Sequence, residues 1–243
     1  MNVEKKYIEN GVLVFSTGLE NNLRNIRAKF TKIFDNSARM NGLDPIKNDK
    51  DVAKFSKTNH ELWVSSYDQL RFLPEVLAIS NEQIILKNIK KCGIKFPVVD
   101  EIVLRGDMPY DDQWRSETHQ DSDYFQGSMN SLIVWIPFQD IDSQIGPLDV
   151  VKGSHKNGSI NDQGKSINDS EFTSITMKLG EALVFSQFMV HRSGKNRSDD
   201  IRFSLQLRIN DLEDDEWAKR KFFFPKRKFV NSPRIDFPTY FPF

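Results

Sequence analysis

The spacing of the apolar residues changes once along this chain, and that change limits the folds open to it. Ahead of Gly93 they recur at helical intervals: Leu23, Ile26, Phe30, Ile33 and Phe34 mark one face of a helix over 19–40, closed by Asn41-Gly42 with Pro45 beyond. The segment 43–60 is polar and reads as a loop or short helix. A second helical region over 66–91 is broken near Pro74 and stopped by Cys92-Gly93. After Gly93, runs rich in β-branched and aromatic residues take over at 97–104, 128–138, 172–177, 182–188 and 201–209. One strand, Val12-Leu13-Val14-Phe15, is expected ahead of the helices. Helices first and strands afterwards predict a mainly β, α+β fold: an antiparallel β core with N-terminal helices packed on one face.

A length of 243 residues suits a single domain of this kind. It divides into a helical part (1–94), a β core (95–210) and a C-terminal segment (211–243) rich in aromatics and Pro. That last segment is expected to start as a short helix over 212–221 and then to lie extended, burying its rings. The Gly-, Asn- and Ser-bearing stretch 156–170 is a long polar loop, expected to move and to help cover a site. Lys plus Arg and Asp plus Glu number 34 each, so the net charge is zero, which offers nothing to nucleic acid or an anionic membrane. A single cysteine, Cys92, excludes an internal disulfide and suits a reducing compartment. With no apolar run of membrane-spanning length and no signal-like N-terminus, the expected location is cytoplasmic, and the expected partner a small molecule.

The chemistry concentrates in Thr118-His119-Gln120-Asp121. A His and an Asp two residues apart on an extended segment project to the same side. A second imidazole would complete the two-histidine, one-carboxylate set that leaves half the coordination sphere of Fe(II) open. His191, beyond the apolar run Ala182-Leu183-Val184-Phe185, is the candidate; without such a partner the tripeptide is a solvated turn. Arg202 starts the next strand and shares a face with Ser204, opposite Phe203, Leu205 and Leu207. A buried guanidinium there either grips a ligand carboxylate or pairs with a native acid such as Asp211 or Glu101.

Three stretches together resemble the phytanoyl-CoA dioxygenase family of Fe(II)/2-oxoglutarate oxygenases. They are Trp114 to Asp121 with Gln126-Gly127-Ser128 and Trp135-Ile136-Pro137; Gly146 to His155; and Gly180-Glu181-Ala182 with His191-Arg192-Ser193, Asn196, Ser198 and Arg202-Phe203-Ser204. The resemblance covers 95–210. It implies a double-stranded β-helix, a jelly-roll and cupin-like core. It further implies His119, Asp121 and His191 as ligands of Fe(II), and Arg202, Ser193, Ser204 and Trp135 around 2-oxoglutarate. O2 would be the oxidant, with succinate and CO2 released as a substrate is hydroxylated. His60 and His155 fall outside the ligand set, and Asp123 is a second carboxylate of open role. The mixed-sign residues near the expected mouth, among them Arg105, Asp107, Arg115 and Glu117, point to a small polar, sugar- or nucleotide-type substrate. The alternative is a non-catalytic jelly-roll module that binds a ligand or carbohydrate. A cupin-type metal enzyme lacks support because the His-x-His pair is absent.

Overall fold

The computed structural model describes residues 3–222 apart from 114, 126 and 160–166. Trp114, Gln126, the centre of the polar loop and the tail beyond 222 therefore lie outside the described residues. A short helix α1 (Val3–Asn10), which the apolar spacing did not announce, precedes β1 (Val12–Ser16). The helical layer follows as α2 (Glu20–Met40), α3 (Asp49–Thr58), α4 (His60–Leu70), α5 (Pro74–Ile79) and α6 (Gln83–Lys91). The helix expected at 19–40 is α2, and its buried stripe is Leu23, Ile26, Phe30, Phe34 and Ala38. The polar stretch at 43–60 is mostly helix: the Asn48 side chain accepts the Asp51 N–H and caps α3. Pro74 stands in the first turn of α5, where its missing N–H costs nothing.

Beyond α6 come β2 (Pro97–Asp107), β3 (Leu132–Pro137), β4 (Leu148–Val150), β5 (Thr173–Ile175), β6 (Glu181–Ser186), β7 (His191–Ser193), β8 (Arg202–Asp211) and α7 (Asp215–Lys219). All pairings are antiparallel. One sheet runs β1-β6-β3-β8-β2 and a smaller one β5-β4-β7. This is the expected α+β architecture with two antiparallel sheets.

Side-chain alternation gives the large sheet two different faces. Leu132, Val134 and Ile136 of β3, Ala182 and Val184 of β6, and Phe203, Leu205 and Leu207 of β8 join the helices in one core. Phe30 of α2 sits 5.0 Å from Phe138 and 5.2 Å from Phe203, ring centre to ring centre. The opposite face carries Ile133 and Trp135 of β3 with Leu183 and Phe185 of β6, packed against Leu148 and Val150 of the small sheet. The helices thus cover one face only, and the space between the two sheets is left for a site. Arg27 of α2 ties the layers together. It pairs with Asp49 and lies 4.5 Å over the Phe203 ring, while Asp49 also accepts the Ile201 N–H at 2.8 Å, fixing the chain just before Arg202.

Candidate metal centre

His119 and His191 face each other in an isolated antiparallel bridge, each backbone N–H donating to the other's carbonyl at 3.0 Å. The bridge joins the segment before Asp121 to β7 and sets the two rings 4.2 Å apart, centre to centre. Asp121 does not continue an extended segment as the sequence reading expected. It opens a 3-10 turn, Asp121–Asp123, in which the Tyr124 N–H donates back to the Asp121 carbonyl at 3.0 Å. The Gln120 side chain points elsewhere, its Nε2 donating to the carbonyls of Phe188 (2.6 Å) and Gly158 (3.0 Å). Even so, one ligand atom from each of His119, Asp121 and His191 lies within 4.8 Å of the other two.

The donor set fits a divalent cation. Nδ1 of His119 is 2.7 Å from the Glu117 carbonyl and Nδ1 of His191 is 2.9 Å from the Met189 carbonyl. With Nδ1–H donating to a carbonyl, each ring keeps the lone pair on Nε2 for a metal. Burial drives the His191 pKa down to about 4, so this imidazole is neutral at pH 7. Burial alone would raise the pKa of Asp121. The adjacent His119 and the nearby Arg208 outweigh it and hold the carboxyl at about 2, fully ionised. At His119 burial again opposes charge, but the adjacent Asp121 carboxylate and the Glu117 carbonyl prevail and lift its pKa above the ordinary value. His119 and Asp121 lie 3.7 Å apart, and together they would hold a divalent cation in place of that proton.

Beside the three groups lies a cavity of about 330 Å³, walled by Arg105, Ser116, Trp135, Leu148, Phe185, Ser193, Gln206 and Arg208 among others. Trp135 and Ser193, which the resemblance puts beside 2-oxoglutarate, both line this cavity. Arg202 and Ser204 do not line this cavity. Arg202, buried to 2% exposure, pairs with Asp107 through Nη2 at 2.8 Å, and its Nη1 donates to the Gly146 carbonyl. Asp107 lies directly opposite Arg202 across the β2–β8 register, and so becomes its native acid in place of Asp211 or Glu101. Gly146 takes φ +83, and a side chain there would strike the backbone of Gly194 and Lys195. Ser204 Oγ is buried with no partner among the described residues.

Two other arginines line the cavity instead: Arg105, which the sequence places near the mouth, and Arg208, to which it assigns no site role. Arg105 bonds Ser116 Oγ through Nη1 and Asp107 through Nη2 at 3.1 Å. Arg208 stands 3.4 Å from Asp121, 3.1 Å from Glu101 and 3.5 Å above the Phe125 ring. The period of β8 was a signal for Arg208, because it repeats the face of Arg202, Ser204 and Gln206. His155 Nε2 instead sits 3.2 Å from the Ile8 carbonyl, and His60 rests against Trp63 on α4. Asp123 accepts the Gln120 N–H at 3.4 Å as part of the turn.

Residues 7–204 match the family model described as phytanoyl-CoA dioxygenase (PhyH). The chain belongs to the phytanoyl-CoA dioxygenase family. Among family members, Phytanoyl-CoA dioxygenase 1 of Oryza sativa subsp. japonica is 29% identical over 117 residues, which is 43% of this chain and 42% of that protein. The peroxisomal phytanoyl-CoA dioxygenase of Rattus norvegicus is 25% identical over 219 residues, covering 82% of this chain and 64% of its own. The chain thus spans less than two thirds of the length of either relative. Among solved structures, the non-heme monooxygenase ThoJ in its apo form superposes with a TM-score of 0.63 at 16% identity, over 86% of this chain and 77% of that one. The non-heme alpha ketoglutarate dependent epimerase SnoN from nogalamycin biosynthesis gives 0.57 at 14%, over 86% and 82%. At such identities the likeness is one of fold. No helix among the described residues is long and apolar enough to cross a membrane.

Proposed function

We propose that the protein is an Fe(II)- and 2-oxoglutarate-dependent dioxygenase of one catalytic domain. It hydroxylates a small polar substrate of sugar or nucleotide type and releases succinate and CO2. The observation that carries this reading is the convergence of His119, Asp121 and His191 at the side of a cavity large enough for a cosubstrate and part of a substrate. Fe(II) with 2-oxoglutarate, when bound, would supply the electrons that activate O2, the oxidant. The protein's own part is geometric and electrostatic. Glu117 and Met189 hold the imidazoles through Nδ1, and Arg208 steadies the carboxylate of Asp121. Trp135, Leu148 and Phe185 keep the cavity wall dry.

Arg202 is the proposed clamp for the distal carboxylate of 2-oxoglutarate, with Ser193, Ser204 and Trp135 beside it. To serve so, it must exchange Asp107 for the cosubstrate, and Arg105, which already shares Asp107, is placed to assist. The ligand Asp121 also bears on the outcome. Its carboxylate would occupy the ligand position that a halide would need, and its charge would oppose chloride nearby. The test is turnover under 18O2 in chloride buffer. Succinate formation with one 18O atom in a hydroxylated product supports the reading, whereas no succinate from the iron-loaded protein, or a chlorinated product, overturns it.

A further inference from the structure

A guanidinium buried in a strand needs an acceptor for each of its nitrogens, so one left partly unmatched marks a place kept for something else. Arg208 is such a group. It lies deep in β8 at 9% exposure, directly opposite Glu101 across the β2–β8 register. Three contacts fix its plane. Nε donates to Glu101 at 3.1 Å, Nη2 stands 3.4 Å from Asp121, and Cζ sits 3.5 Å over the Phe125 ring. Nη1, by contrast, is buried with no acceptor among the described residues. The other two arginines of this region are matched: Arg202 bonds Asp107 and Gly146, and Arg105 bonds Asp107 and Ser116.

The surroundings say what would meet Nη1. Arg208 lines the cavity of about 330 Å³, and the same rigid guanidinium touches Asp121, one of the three candidate metal ligands. Its unmatched nitrogen therefore lies close to the ligand set. Net charge does not decide the occupant, because Glu117 and Asp121 face Arg105 and Arg208 on this wall. The unmet hydrogen bond does, since an oxygen brought in beside the metal would complete it. Resting on the oxygenase reading above, we propose that Arg208 donates through Nη1 to the carboxylate that the 2-oxo acid brings to the metal. This is the opposite end of the cosubstrate from the one assigned to Arg202. One immobile group thus steadies Asp121 with one nitrogen and holds the 2-oxo acid with another, a charge-assisted bond of the stronger kind.

Calorimetric titration under argon, on the full-length protein loaded with Fe(II), separates the two ends of the cosubstrate. 2-Oxoglutarate carries both carboxylates, and 2-oxopentanoate only the one next to the keto group; where the latter is weak, it is read by its displacement of 2-oxoglutarate. Arg208→Lys keeps a cation beside Asp121 and Glu101 but has no second nitrogen. It should retain Fe(II) with a Kd within about threefold of the parent and weaken both acids by the same factor, about tenfold or more. Arg202→Ala should weaken 2-oxoglutarate alone. Glu101→Gln leaves an oxygen for Nε and removes the competing charge, so it should tighten 2-oxopentanoate; it carries the test if Arg208→Lys does not fold. Undiminished binding of 2-oxopentanoate by Arg208→Lys would leave Nη1 to water and overturn the inference. Loss of iron in step with the acids would overturn it too, reducing Arg208 to a support for Asp121. So would a Glu101→Gln protein that binds 2-oxopentanoate no tighter, or a parent that binds 2-oxoglutarate but not 2-oxopentanoate. If the iron-loaded parent binds neither acid, the oxygenase reading itself falls; if it binds both and Arg208→Lys loses nothing, only this inference does.

Discussion

At the scale of single residues the site makes unequal demands on its histidines. His119→Ala, Asp121→Ala and His191→Ala should each abolish turnover and lower the iron retained after gel filtration, because three ligands leave no redundancy. His60→Ala and His155→Ala should keep stoichiometric iron, since neither ring lies in the cluster; a fully active, iron-replete His119→Ala would sink the assignment. Arg202 poses a finer question. Losing a buried bidentate contact to a carboxylate costs about 2 to 5 kcal/mol, so Arg202→Ala should raise the apparent 2-oxoglutarate requirement by tens-fold or more. Asp107→Asn should act in the opposite direction and lower it, because the internal counter-ion no longer competes for the guanidinium. An Asp107→Asn enzyme needing more 2-oxoglutarate than the parent would show that Asp107 supports the anion site and does not block it.

At the scale of elements, β8 does most of the positioning. Its far end is fastened by Asp211, which accepts the N–H groups of Lys95 (2.9 Å) and Phe96 (2.8 Å) and the Asn130 amide (2.9 Å). Burial opposes ionisation of Asp211, but these bonds win and hold its pKa below the ordinary value. A depressed carboxylate contributes stability that is full above its unfolded pKa and is lost as pH falls through its folded one. Asp211→Asn should therefore cost about 1 to 3 kcal/mol at pH 7 and much less at pH 3, read from urea midpoints at the two pH values. The alternation of β8 was legible in the sequence: Phe203, Leu205 and Leu207 do face the helices, and Arg202 and Ser204 do turn away from them. What Arg202 touches was not legible, because its partner depends on the register with a strand far back in the chain. Helix α3 and the first turn of α4 were not legible, because 43–60 is polar and α3 depends on the Asn48 side chain that caps it. Likewise, the 3-10 turn at Asp121 depends on backbone hydrogen bonds that the residue types do not announce.

At the scale of the whole molecule, the centre joins parts that are otherwise weakly connected: His191 rides on the small sheet, and His119 and Asp121 on a loop. Metal that binds only the folded form adds about 2.7 kcal/mol at a hundredfold excess over Kd. For a chain of this size that is a rise of roughly 5 to 10 °C in Tm. Scanning calorimetry with Fe(II) under argon should show it, and His119→Ala should not respond; equal shifts in both would mean the ion sits elsewhere. The two sheets are also very unequal. Each strand of the small one has three residues, whereas β2 has eleven and β8 ten, and the helices back only the large one. In deuterium exchange, amides of β4, β5 and β7 should therefore label well before those of β3 and β8. The protein would then take up its ligands the way a clam opens, with a thick valve that stays still and a thin one that lifts.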